Sequence, residues 1–270
     1  MLPHIDWAHP WYDAVRPSVV RAAPPADGFI DAFNVAAAQR DLRNHAGLPL
    51  RFVPQAALPE GMAYEAFISA TGNVPTRDNL HDFFNALVWQ SYPLTKRALN
   101  KLQAAQIARD GVGKLRGAAR DAATIFDENA ALLVVREGAA GRALVDDLRA
   151  HRWLAALHEK RALFGPHADV WLFGHALMEK LVAPRKAITA HTRVVFAGDA
   201  YFASGAQARL DWLDRTLAAT LNSEGLDASS VTPLQVLGVP GWWPGQDEAF
   251  YSDTTVFRPK RVTTTGEAND

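Results

Sequence analysis

The 270-residue sequence predicts an α+β fold, mainly helical, built as a single domain with a small antiparallel sheet or hairpin. Three observations carry this expectation. Apolar residues recur at helical spacing over six segments, near 27–45, 78–89, 95–109, 142–163, 173–183 and 204–222. Short apolar, β-branched runs at 50–53, 131–135 and 194–196 have the length of strands rather than helices. The composition, 49% hydrophobic and 21% charged, is that of a chain able to bury a core.

Residues 1–26 read as an irregular N-terminal arm whose rings and prolines (Trp7, Pro10, Trp11, Tyr12, Pro17, Pro24, Pro25) pack it onto the body. The globular domain is expected over 27–259, with 260–270 a polar tail. Asp27 is placed to cap a helix that runs to about His45 and stops at Gly47. Residues 64–68 are too few to separate strand from helix by periodicity. Asp78 or Asn79 caps the next helix, Tyr92-Pro93 closes it, and Thr95 helps to start another that reaches Arg109. Two runs, 123–126 and 131–135, flank Asp127-Glu128-Asn129-Ala130, and this pattern predicts a hairpin with an Asn-containing turn. Pro184 ends the helix at 173–183, and Ser204 is placed to cap the one at 204–222. The adjacent indoles of Trp242-Trp243 are expected to pack on the domain rather than form an exposed apolar patch.

Charge and composition exclude several classes. A formal net charge of −1 creates no global field for nucleic acid or anionic membrane, so any such contact is local. The absence of cysteine removes disulfides, thiolate metal sites and Cys nucleophiles. The start has neither a basic nor an apolar signal region, and no run approaches the ~18 apolar residues of a membrane span, so the cytoplasm is the expected location. There is no Gly-rich phosphate loop and no Gly-x-Ser-x-Gly elbow.

What remains is chemistry by His, carboxylate and amine. In the helix at 78–89, Leu80, Phe83, Phe84, Leu87 and Val88 take one side, and His81, Asp82, Asn85 and Trp89 share the other. A solvated face ordinarily carries Lys, Glu and Arg, so this one suits a partly buried polar pocket. The plainer alternative is that His81 and Asn85 satisfy backbone groups under a loop. His175 and Glu179 lie one helical turn apart and can share a divalent metal or simply a hydrogen bond; His191, after the reversal at Pro184, is the further metal-ligand candidate. Asp127 and Glu128 read first as turn formers. Lys96, Arg97, Lys101, Arg109, Lys114, Arg116 and Arg120 make a locally basic stretch, the profile of a solvated face or of an anion contact. His45, His81-Asp82 and Asp121 echo the residue order of HD phosphohydrolases, but Phe-Phe-Asn follows Asp82 in place of that family's usual continuation.

The strings VPTRDNLHDFFNALVW (74–89), FDEN (126–129), FGHALMEK (173–180), KAITAH (186–191) and VLGVPGWWP (236–244) resemble the domain of unknown function family 3025 of Proteobacteria. The resemblance runs from about Leu50 to Pro259 and implies a whole-chain bacterial family that brings no activity to carry over. Ala130 departs from it, standing where Gly is expected.

The functional expectation is a metal-assisted hydrolase acting on a phosphoester or other small anionic substrate. Its catalytic residues are His81, Asp82, Asn85 and Lys96, with Lys96 or Arg77 holding the anion, and its ligands to a divalent metal are His175, Glu179 and His191. The competing expectation is a non-catalytic binding module with structural histidines. An open cleft lined by the cluster favours the first and a closed, dry cluster the second.

Overall fold

The computed structural model describes residues 4–25, 28–111, 118–226 and 231–260. Asp27, Lys114, Arg116 and the tail from Arg261 onward lie outside the described residues, and with them the expected Asp27 cap and part of the basic stretch.

The N-terminal segment makes a 3-10 turn, Pro10–Tyr12, and helix α1 (Arg16–Ala22). Trp11 and Tyr12 are buried in the main core, and the Tyr12 hydroxyl donates to the Met178 carbonyl. Helix α2 (Ile30–Gln39) stops short of the expected His45. Asp41 takes a left-handed φ of 49°, and Asn44 then organises the turn by accepting from the amides of Ala46 and Leu48 and donating to the carbonyls of Ile68 and Ser69. Strand β1 (Arg51–Pro54), helix α3 (Tyr64–Thr71) and strand β2 (Asn73–Thr76) follow, and β1 and β2 pair in parallel. The run at 64–68 is therefore helical.

Asn79 caps α4 (Leu80–Ser91), its side chain accepting from the Asp82 amide at 2.8 Å. α4 is almost wholly enclosed, with Phe84, Leu87 and Val88 at 0% exposure, because α5 (Pro93–Asp110) turns directly off its end and later elements cover its other side. Helix α6 (Ala118–Asn129) then passes without a connecting residue into strand β3 (Ala130–Arg136). The hairpin expected over 123–135 is not formed: its second strand exists, but its first strand and turn are the last turns of α6. Ala122, Ala123 and Phe126 face inward at helical spacing, and that burial overrides the turn preference of Asn129.

Helix α7 (Ala139–Arg149) and a π turn (Leu154–Glu159) replace the single helix expected over 142–163, and His151, with a left-handed φ of 56°, makes the break. Strand β4 (Ala168–Leu172), helix α8 (His175–Lys180), strand β5 (Thr189–Ala197), helices α9 (Asp199–Phe202) and α10 (Ala206–Glu224), strand β6 (Val231–Gln235) and helix α11 (Glu248–Tyr251) complete the described chain. Gly205, not Ser204, precedes α10, and the Ser204 hydroxyl instead donates to the Ala200 carbonyl.

The main sheet is thus four-stranded and mixed rather than a hairpin, in the order β4-β3-β5-β6. β3 pairs antiparallel with β4 and parallel with β5, and β6 closes the other side antiparallel to β5. All but the last residue of β3 are buried, and its side chains serve two cores. Leu132 and Val134 join the larger one, with α4, α5, α8 and α10; Leu133 and Val135 join a smaller one with α7, the π turn and Phe257. Trp242 and Trp243 are half-buried against these cores as expected, Trp242 lying 6.3 Å from Trp11 between ring centres. Among the described residues no helix is long and apolar enough to cross a membrane.

Candidate functional site

The polar side of α4 opens on a cleft of about 480 Å³ between α3, α4, α5 and α6, with α8 at one end. Its walls include Tyr64, Glu65, Arg77, His81, Asp82, Asn85, Arg120, Thr124, Asp127, Glu128 and His175. Local sequence fixes how each helix meets it. At the start of α4, Asn79 caps the helix while the Asp82 carboxylate accepts from the Arg77 amide (2.6 Å) and from its guanidinium (3.0 Å at each of two nitrogens). This clasp leaves His81, in the first turn, pointing across the cleft toward α8.

α8 approaches just as closely because Gly174 precedes it. A Cβ at that position would sit 2.5 Å from the Ala130 amide nitrogen and 2.6 Å from that of Asn129, so only glycine lets the chain lie on the α6–β3 junction. The Gly174 amide donates to the Ala130 carbonyl there, at 2.9 Å. His175, the next residue, is thereby set against Asp127 and Glu128 in the last turn of α6.

His81 Nε2 and His175 Nε2 are 3.1 Å apart. His175 Nε2 is 3.7 Å from one Glu128 oxygen and His81 Nε2 is 4.0 Å from the other. One donor atom from each of His81, Glu128 and His175 falls within a 4.8 Å set. A tetrahedral ion with ligand bonds of about 2.05 Å separates its donors by about 3.3 Å, so small rotations of these side chains suffice to enclose one.

Behind each imidazole stands a carboxylate. Glu179 Oε2 lies 3.0 Å from His81 Nδ1; an ionised carboxylate only accepts, so Nδ1 carries the proton and the Nε2 lone pair faces the cluster. Asp127 Oδ2 lies 3.8 Å from His175 Nδ1. Glu179 and His175 share a face of α8 as the sequence predicts, but Glu179 orients His81 instead of standing among the three converging donors.

Asp127 is itself held by Lys96, whose Nζ contacts its two oxygens at 2.6 and 2.8 Å and also donates to Asn85 Oδ1 at 3.0 Å. Burial alone would push the Asp127 carboxyl up; the Lys96 ammonium and the nearby His175 outweigh it and keep the group below its ordinary value. Burial pushes His175 down to about 4, against the pull of Asp127, so its imidazole is neutral and available as a ligand at neutral pH. Glu128 and Glu65 are both raised by burial, Glu65 in spite of Lys96 and a 2.7 Å bond from Asn100.

The expected site residues divide accordingly. His81, Asp82, Asn85 and His175 line the cleft, as their helix faces predict. Lys96 is buried behind it, 3% exposed and committed to Asp127, and Arg77 is committed to Asp82, so neither offers the free cation assigned to it. Trp89 turns away from the cleft, its ring lying under Lys96 Nζ at 5.2 Å. His191 does not join the cluster. On β5 the buried positions alternate through Ala190 and Thr192, which turns His191 outward to an exposed position. The HD order is not realised in space, since His45 bonds Ser69 and Asp121 is exposed and does not line the cleft. Sequence reasoning set aside Glu128 and Asp127 as turn formers and missed Tyr64 and Glu65. The FDEN string was the signal for the first two; nothing in the local pattern marked the others.

Neither the search of curated proteins nor that of solved structures returned a match to this chain. The family model described as protein of unknown function (DUF3025) matches residues 50–261, which span β1 through α11 and so include every side chain of the cluster. On that match the chain belongs to the DUF3025 family.

Proposed function

We propose that the protein is a metal-assisted hydrolase of a small anionic substrate, a phosphoester being the leading class. The observation that carries this reading is the convergence of His81 Nε2, His175 Nε2 and the Glu128 carboxylate at the wall of an open cleft, with Glu179 and Asp127 behind the two imidazoles. Two histidines and one carboxylate form the ligand set of catalytic zinc sites that keep a position open for water or substrate. A divalent ion held there would polarise a phosphoryl or carbonyl oxygen and acidify water in the cleft.

The chain's own groups supply the rest. Glu179 fixes the His81 tautomer, the Lys96–Asp127 pair supports His175, and Glu65, raised by burial in the cleft wall, holds a proton more readily than an ordinary carboxyl. The alternative of a binding module with merely structural histidines is disfavoured by exposure: the His81 and Glu128 side chains are 31% and 40% accessible, and a dry structural cluster would be closed.

The test is elemental analysis of protein purified without chelator, followed by assay with bis(p-nitrophenyl) phosphate. One zinc or manganese per chain is expected, lost in His81→Gln, His175→Gln and Glu128→Gln, with hydrolysis falling in step. Failure of calorimetry to detect zinc, manganese or iron at micromolar concentration would remove the metal. Iron with oxygen-dependent turnover would replace hydrolysis by redox chemistry.

A further inference from the structure

α6 presents more than Asp127 and Glu128 to the cleft. At 100° per residue, Arg120, Thr124, Asp127 and Glu128 fall within one quadrant or so of the helix, and all four line the cleft, whereas Ala122, Ala123 and Phe126 occupy the buried side. Two other cations at the cleft are spoken for, Arg77 by Asp82 and Lys96 by Asp127, and Lys180, whose charge reaches Glu128, stands on α8 outside the cleft lining. Arg120 differs. It is half-buried in the wall, and among the described residues its guanidinium has no carboxylate partner. A guanidinium set in the wall of a cleft presents a planar fork that suits a carboxylate or phosphate.

We infer that Arg120 is a specificity-determining residue that anchors a second anionic group of the substrate, remote from the reacting bond. This inference rests on the metal reading of the His81–His175–Glu128 cluster. The spacing sets the ligand's length. Arg120 and Glu128 are eight residues apart, which is about 12 Å of helix axis, and the arginine side chain spans part of it. The substrate is therefore an elongated molecule with an anionic terminus several bonds from the group that meets the metal. A compact phosphomonoester would reach one end only.

The probes are hydroxamic acids, whose hydroxamate binds the metal, carrying a chain of one to eight methylenes that ends in a carboxylate, in its methyl ester or in a phosphonate. Kd is measured calorimetrically on zinc-loaded full-length protein. In the wild type the carboxylate should bind about ten- to hundredfold more tightly than its ester, with an optimum in the middle of the series. The relative Kd of the carboxylate and phosphonate arms identifies which anion the anchor prefers. In Arg120→Gln the carboxylate-to-ester ratio should collapse to about one, and Arg120→Lys should restore it partly. An unchanged melting temperature separates this loss from misfolding. Hydroxamates that bind with no advantage from the anion, or an advantage that survives in Arg120→Gln, would overturn the anchor and leave the metal centre standing. Failure of every hydroxamate to bind the zinc-treated wild type would overturn the metal reading itself, and the anchor with it.

Discussion

Lys96 carries the most concentrated demand on stability of any single side chain near the cleft. It is 3% exposed, pairs with Asp127 and donates to Asn85, while Asn85 in turn donates to the Tyr64 hydroxyl at 3.0 Å. Removing one member of such a pair strands a charge away from water, which typically costs about 3–5 kcal/mol, whereas removing both can be close to neutral. Lys96→Met is therefore expected to lose about 3–5 kcal/mol in urea titration, and Lys96→Met with Asp127→Leu to regain most of it. A single variant within about 1 kcal/mol of wild type would mean that the pair is solvated. At this scale the sequence is only half legible. A lysine in a basic stretch looks like part of a solvated face, because the charge that neutralises it, Asp127, lies 31 positions away. His81 and His175 were legible because each sits on a helix face whose neighbours are wrong for solvent.

Among the elements, α4 was read almost completely from its own residues, since Asn79, the apolar stripe and Pro93 are all local signals. α6 and α8 were read poorly for opposite reasons. α6 looked like a strand and turn because Thr124-Ile125 and Asn129 carry those preferences locally, and only the tertiary burial of Ala122, Ala123 and Phe126 selects the helix. The strands β4 and β6 are short, and they acquire their state from pairing with β3 and β5, which no local window reveals. α8 is only six residues long, and its position rests on Gly174 more than on its sequence. Gly174→Ala should push α8 off the α6–β3 junction, lowering the melting temperature and, on the metal reading proposed above, weakening zinc binding about tenfold or more, although neither donor nor charge has been altered. A variant with wild-type zinc affinity would show that the junction has slack the backbone distances deny.

For the molecule as a whole, the two cores share one strand, so neither survives the loss of β3: Leu132 and Val134 belong to one, Leu133 and Val135 to the other. Unfolding should accordingly follow one cooperative transition, with tryptophan fluorescence and far-ultraviolet circular dichroism giving coincident midpoints. Two separated midpoints would mean that the cores come apart independently. The same long-range construction governs how the chain is made. His81 and His175 stand 94 positions apart, with Glu128 between them, and the strand that seals β3 on its parallel side comes later still. A chain emerging from the ribosome passes its midpoint with an incomplete donor set and with β3 unpaired on both edges. An ion held by these three residues would therefore not template early folding, as it does in small metal-nucleated domains, and would be acquired by a protein whose architecture is already settled. On the metal reading proposed above, metal starvation of a growing cell should then leave intact, foldable and reloadable chains rather than degraded ones.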